Sequence, residues 1–218
     1  RDRDMPEEIN RLLTDTIAEF LFVTERDGVE NLEAEGVSDD RIFFVGNVMI
    51  DSLVFFREKA AKTGIVEELG LTPSQYAVMT MHRPSNVDNR EGLLSLLDTI
   101  ERVTELVPLV FPMHPRTRNQ FDEFGLADRL ESIDDFILLE PLGYLEFLRL
   151  MEKAGGVVTD SGGIQEETTF LQVPCLTLRD STERPITIEQ GSNELLDLEP
   201  NKVKRRVQEI LSGDRPEG

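Results

Sequence analysis

Two kinds of segment alternate along the chain. One kind is a short continuous apolar run: residues 20–23, 42–45, 76–81, 109–112, 136–139, 156–159 and 173–178. The other has apolar residues every three or four positions: 6–18, 27–35, 48–62, 92–106, 144–153, 164–171 and 201–211, with 119–130 interrupted near Gly125. The first pattern predicts strands buried on both faces and the second predicts amphipathic helices. Pro6 followed by Glu7 and Glu8 suits a helix start, and Gly36 suits a helix end. Regular alternation of the two predicts a doubly wound parallel α/β sheet covered by helices. Ligands of such a sheet bind beyond the carboxyl ends of its strands.

Those ends carry polar residues. One predicted strand runs out into His82-Arg83, one into His114, one into Asp160-Ser161-Gly162-Gly163, and one into Arg179 with Arg184 close behind. The 160–163 stretch joins a strand to a helix start. Its backbone N–H groups lack helical partners and carry a partial positive charge, which suits a phosphate. Gly162 and Gly163 have no Cβ to keep an anion away. Glu167, about one turn further on, suits ribose hydroxyls. The plain alternative is an αβ connection with Ser161 as its N-cap and no ligand. His82 is read either as a site residue or as a hydrogen-bonded loop residue, and His114, ahead of Pro115, as structural. Arg184 has acidic neighbours with which it could simply pair on the surface.

Charge changes the picture in one respect. The 218 residues carry 43 acidic and 23 basic side chains, a net charge of −20. Lysine is confined to positions 59, 62, 153, 202 and 204. A nucleic-acid partner is therefore not expected. An anion site survives this balance because it is local. An Arg about 4 Å from a phosphate contributes roughly 4 kcal/mol at an effective dielectric of ~20, while carboxylates beyond about 10 Å are screened. The acidic, Lys-poor surface also suits a high-salt medium. The lone Cys175 sits in an apolar run, which argues against disulfides and a Cys-based metal site. No apolar stretch approaches a membrane span and no signal peptide is visible, so a reducing, cytoplasmic location without membrane partners is expected.

Several blocks together carry a resemblance. Thr159-Asp160-Ser161-Gly162-Gly163-Ile164-Gln165-Glu166-Glu167, then Val173-Pro174 and Arg179-Asp180-Ser181-Thr182-Glu183-Arg184-Pro185, resemble the non-hydrolysing UDP-N-acetylglucosamine 2-epimerases. Pro6 to Arg11, Gly46 to Asp51 and Met81-His82-Arg83 match further blocks in the same order. The resemblance implies a Rossmann-like sheet that is the second domain of a GT-B-type two-domain fold, with a UDP-sugar bound between the halves. It implies residues 1–18 as a helix from the end of a missing N-terminal domain, 19–212 as the UDP-binding domain, and 213–218 as a tail. The chain, which opens without Met, then reads as an internal fragment without much of the chemistry, inactive alone.

Carried over residue by residue, the resemblance makes His82 and Glu7 catalytic. Arg83, Leu142, Phe147, Ser161, Gly162, Gly163, Glu167 and Arg184 bind substrate: Leu142 and Phe147 the uracil, Ser161 to Gly163 the phosphates, Glu167 the ribose, and Arg184 the diphosphate. Some members have Gln where Leu142 stands. His114 matches a histidine at a regulatory UDP-sugar site of some bacterial members. No cofactor or metal is implied, and the full-length protein is expected to be a homodimer. The alternatives are a GT-B glycosyltransferase, a hydrolysing epimerase, or a UDP-sugar-binding domain without catalysis.

Overall fold

A computed structural model of the chain describes residues 6–216. It divides into two compact units, Arg1–Ser52 and Leu53–Gly218. The first contains α1 (Pro6–Ile17), β1 (Leu21–Val23), α2 (Arg26–Ala34) and β2 (Ile42–Phe44), and then the start of α3 (Val48–Ala60). Gly36, at φ +82°, turns the chain after α2. β1 and β2 pair in parallel, Leu21 opposite Ile42, as a two-stranded sheet of their own. The division thus falls after Ser52, within α3. The apolar runs do form strands, but not buried ones: Phe22 is 68% exposed and Phe44 54%. Apolar content set the strand conformation here, but burial needs covering elements as well. In α3, likewise, Leu53 is buried while Val54 and Phe55 face solvent.

The second unit continues with α4 (Ile65–Glu68), β3 (Ala77–Thr80), α5 (Pro84–Val87), α6 (Arg90–Thr104), β4 (Leu109–Pro112), α7 (Pro115–Glu123), α8 (Ala127–Glu131) and β5 (Phe136–Leu139). Then come α9 (Tyr144–Lys153), β6 (Gly156–Thr159), α10 (Gly162–Leu171), β7 (Cys175–Leu178), α11 (Ile186–Glu189), β8 (Asn193–Leu196) and α12 (Pro200–Leu211). The sheet is wholly parallel in the order β5-β4-β3-β6-β7-β8. That is the Rossmann order, with the reversal between β3 and β6. Successive residues feed opposite faces. Met79, Phe111 and Val158 join α6, α7, α8 and α12 in one core, while Val78, Val110 and Val157 join α4, α9 and the end of α3 in the other.

The helices follow their local signals. Asn89 caps α6 by accepting the Gly92 N–H at 2.8 Å, and Leu93, Leu96, Leu97, Ile100 and Val103 form its buried stripe. Gly125, at φ +66°, separates α7 from α8 where the break was expected. Strand β8 was not predicted. Its Asn193-Glu194-Leu195-Leu196 has no apolar run, because the buried Asn193 accepts the Thr177 hydroxyl at 2.6 Å instead of packing against carbon.

The acidic surface has a measurable consequence. A net charge of −20 repels itself over the Debye length, about 8 Å at physiological salt and 3 Å at 1 M. The urea midpoint is expected to rise by about 1 M between 0.1 and ~2 M KCl. Coincident urea curves would refute the reading of the surface as salt-adapted.

Candidate functional site

Neighbouring strands β3 and β6 send their chains to opposite sides of the sheet, which opens a crevice beyond their carboxyl ends. The strands are in register to the last pair, Thr80 opposite Thr159, whose hydroxyls lie 2.7 Å apart. His82-Arg83 and Asp160 to Gly163 therefore emerge side by side. Asp160 is fully buried and ties the two exits together. Its carboxylate accepts the backbone N–H groups of His82 at 3.1 Å and Arg83 at 2.9 Å, and the Asn86 side-chain amide at 3.1 Å. His82 Nδ1 lies 3.1 Å from its Oδ1. Burial works against the charge, but the bond from His82 and then the Arg83 N–H hold the Asp160 carboxyl below its ordinary range. The same bond, donated to Asp160, raises the His82 pKa against partial burial. The imidazole is thus held through Nδ1.

Ser161 occupies the N-cap position of α10, but its side chain makes no capping bond. Over this turn lies Arg184: a Cβ on Gly162 would stand 3.1 Å from Arg184 Nη1. Glu166 Oε2 pairs with Arg184 Nε at 2.8 Å, and Glu183 Oε2 is 4.0 Å from Nη1. Arg184 does pair with acids, as the plainer reading held, but with Glu166 foremost. Glu183 is itself held to about 2, first by its bidentate hydrogen bonds from Arg179 at 2.7 and 2.9 Å. The buried Gln165 joins turn and loop. Its amide donates to the Ser161 carbonyl at 3.3 Å and accepts the Thr182 hydroxyl at 2.6 Å, and Thr182 in turn accepts the Arg184 N–H at 3.0 Å.

A cleft of about 280 Å³ opens beside the turn, lined among others by His82, His114, Leu142, Phe147, Ser161 and Ile164. The held His82 imidazole, the Arg184 guanidinium and a helix start without a side-chain cap, next to an apolar recess, suit an anion attached to a flat ring. His114 accepts the Arg116 N–H at 3.2 Å as the N-cap of α7, so its structural role and its place on the cleft wall coexist. Other expected residues are already engaged by the protein's own groups. Arg83 lines a neighbouring polar cleft, with its guanidinium 3.4 Å from Glu183. Glu167 is 6% exposed and bonded to Tyr144. The side chain of Glu7 lies outside the described residues.

With this geometry in hand, the similarity to known proteins can be weighed. The family model described as UDP-N-acetylglucosamine 2-epimerase matches residues 1–217. The chain belongs to this family. Its sequence is 41% identical to the UDP-N-acetylglucosamine 2-epimerase of Methanococcus maripaludis, over 98% of this chain and 60% of that protein. It is 38% identical to the UDP-2,3-diacetamido-2,3-dideoxy-D-glucuronate 2-epimerase of Pseudomonas aeruginosa, over 88% of this chain and 52% of that one. The crystal structure of the Methanocaldococcus jannaschii UDP-GlcNAc 2-epimerase in complex with UDP-GlcNAc and UDP superimposes with a TM-score of 0.85, at 40% identity, over all of this chain and 62% of that one. The chain therefore spans about 60% of the length of these curated relatives. The GT-B-type fold expected from the resemblance is the fold of these epimerases.

Within this family member, the sequence reading left three residues of the crevice without a role. Asp160 was visible only as the first polar residue after a strand, although full burial of a carboxylate demands partners. Gln165 sits on the helix face turned to the core, where an amide is useful only if every polar atom is met. Tyr144 was hidden as a helix start.

Proposed function

We propose that the full-length protein carrying this chain interconverts UDP-N-acetylglucosamine and UDP-N-acetylmannosamine, and that this chain supplies the UDP half of the site. One observation carries the reading: in a member of this family, the Asp160-held imidazole of His82, the Gly162–Gly163 amides and the Arg184 guanidinium meet at the switch point of the sheet. Uracil enters the recess of Leu142 and Phe147, the ribose reaches Glu167, and the diphosphate lies along the turn between His82 and Arg184. Arg83 adds positive charge nearby.

The sugar's C2 proton has no adjacent carbonyl, so direct removal is difficult. A carboxylate takes that proton instead while the C1–O bond breaks. The C2–H electron pair becomes the C1=C2 bond of 2-acetamidoglucal, and UDP leaves with the C1–O pair. Proton delivery to the other face of C2 and return of UDP oxygen to C1 complete the inversion. Glu7 belongs with the carboxylates of this step, together with residues of the part of the protein outside this chain. His82, Arg184 and the turn stabilise charge as it grows on the departing diphosphate. No cofactor enters. The same reading includes a homodimer working in the cytoplasm and feeding cell-envelope polysaccharide.

The test supplies UDP-N-acetylglucosamine without an acceptor. The full-length protein is expected to form the manno epimer; free sugar plus UDP would indicate a hydrolysing enzyme, and no turnover would favour a transferase or a binding module. Turnover of the 2,3-diacetamido glucuronate substrate alone would align it with the Pseudomonas relative. The 218-residue chain by itself should bind UDP weakly and epimerise nothing.

A further inference from the structure

The geometry points to Tyr144 as the positioning residue that makes Glu167 select a ribose over a deoxyribose. The inference rests on Glu167 as the ribose ligand in the function proposed above. Tyr144 opens α9, the helix that also carries Phe147 of the cleft wall. Its hydroxyl donates to Glu167 Oε1 at 3.0 Å. The second oxygen, Oε2, is the one this arrangement leaves to a ligand. The ring of Tyr144 is itself held edge-on by Phe56, with centroids 6.0 Å apart.

A carboxylate that is 6% exposed has two problems as a ligand for a diol. It can rotate, and it tends to pick up a proton. Burial does raise the Glu167 pKa, the Tyr144 bond opposes the rise, and the charge of Glu166 adds to it. Tyr144 from α9 and Glu166 from α10 are the ionisable groups that bear on it. The phenol remains a donor throughout, because burial and the Glu167 charge raise its own pKa well above the ordinary tyrosine value. One phenolic bond thus fixes the plane of the carboxylate and keeps it charged. Oε2 and the remaining lone pair of Oε1 then face two vicinal hydroxyls. A 2′-deoxyribose meets only half of that arrangement and leaves one carboxylate oxygen without its donor.

The test compares UDP with 2′-deoxy-UDP by calorimetric titration of the wild type, Tyr144→Phe and Glu167→Gln in the full-length protein, from pH 5 to 8. Phenylalanine keeps the ring against Phe56, and a melting curve matching the wild type verifies the fold. The wild type is expected to prefer UDP by about tenfold, and Tyr144→Phe by only about twofold. Without the phenol the Glu167 pKa rises further, so the loss of UDP affinity on acidification should begin about one pH unit higher than in the wild type. The β-phosphate of UDP titrates alike in both proteins and cancels in the comparison.

The failures are separable. A wild type that does not distinguish the two nucleotides removes Glu167 from the ribose and the inference with it. A wild type that discriminates, beside a Tyr144→Phe protein with the same preference and pH profile, overturns the role of Tyr144 alone. Lost preference with an unchanged pH profile would mean that the phenol touches the ribose directly, which also overturns positioning through Glu167.

Discussion

Asp160→Asn will lower the His82 pKa, and the effect will be read directly by NMR titration, since the chain has two histidines and one further variant assigns them. The hydrogen bond from His82 to Asp160 is the largest influence raising that pKa; an amide in its place carries no charge to favour imidazolium. Asp160→Ala goes further. It leaves two backbone N–H groups and the Asn86 amide without their acceptor, at a cost of about 3–5 kcal/mol.

The pH dependence has two limbs. His82, raised in the folded state, contributes stability that is complete below its unfolded value of about 6.5 and fades as pH rises through the folded value. Asp160, lowered in the folded state, contributes above its unfolded value of about 3.9 and loses that contribution as pH falls through the folded value. Both contributions are complete between roughly pH 4 and 6.5. Urea melts across pH should therefore show both limbs in the wild type and neither in Asp160→Asn. A His82 pKa unmoved by the substitution would show that the pair is not coupled.

The second large effect concerns turnover. In the full-length protein, His82→Ala and Arg184→Ala are each expected to lower kcat by about 10²–10³-fold, the range for losing a general acid–base group or a charge-stabilising donor. Both variants should still unfold cooperatively, because both side chains leave the sheet on loops and are 48% and 30% exposed; the Arg184→Ala melting curve should stay close to wild type, while His82→Ala loses the pH-dependent contribution of the Asp160 pair. Arg184→Lys should not restore the rate. An ammonium cannot pair with Glu166 and lie over Gly162 at once, as the planar guanidinium does. Wild-type rates in both alanine variants would remove these side chains from the reaction.

The sequence disclosed the sheet unit because its strands are buried on both faces, and a strand of that kind is a continuous apolar run. Strands β3 to β7 and the helices between them came out within a few residues. Phe20 to Val23 and Ile42 to Val45 read like core strands for the same reason, yet among the described residues they form a two-stranded sheet of their own and remain half open to solvent. Edge strand β8 escaped because Asn193 spends its side chain on hydrogen bonds. For the site, glycines and histidines at strand ends were visible as types. Their coupling was not, because Asp160 reaches back 78 residues to His82 and Gln165 reaches forward 17 to Thr182. Such pairs exist only once the strand order is known.

Pairing of β3 with β6 has one further consequence. Since the residues proposed to hold the diphosphate come from distant parts of the chain and come together only when these central strands zip up, an unfolded chain would have nothing with which to grasp a nucleotide. Ligand occupancy then acts as a clamp on the middle of the sheet, worth about 2.7 kcal/mol at a hundredfold excess over Kd. Amide exchange at Val78 and Val157 should slow with saturation, while the outer strands keep their own pace.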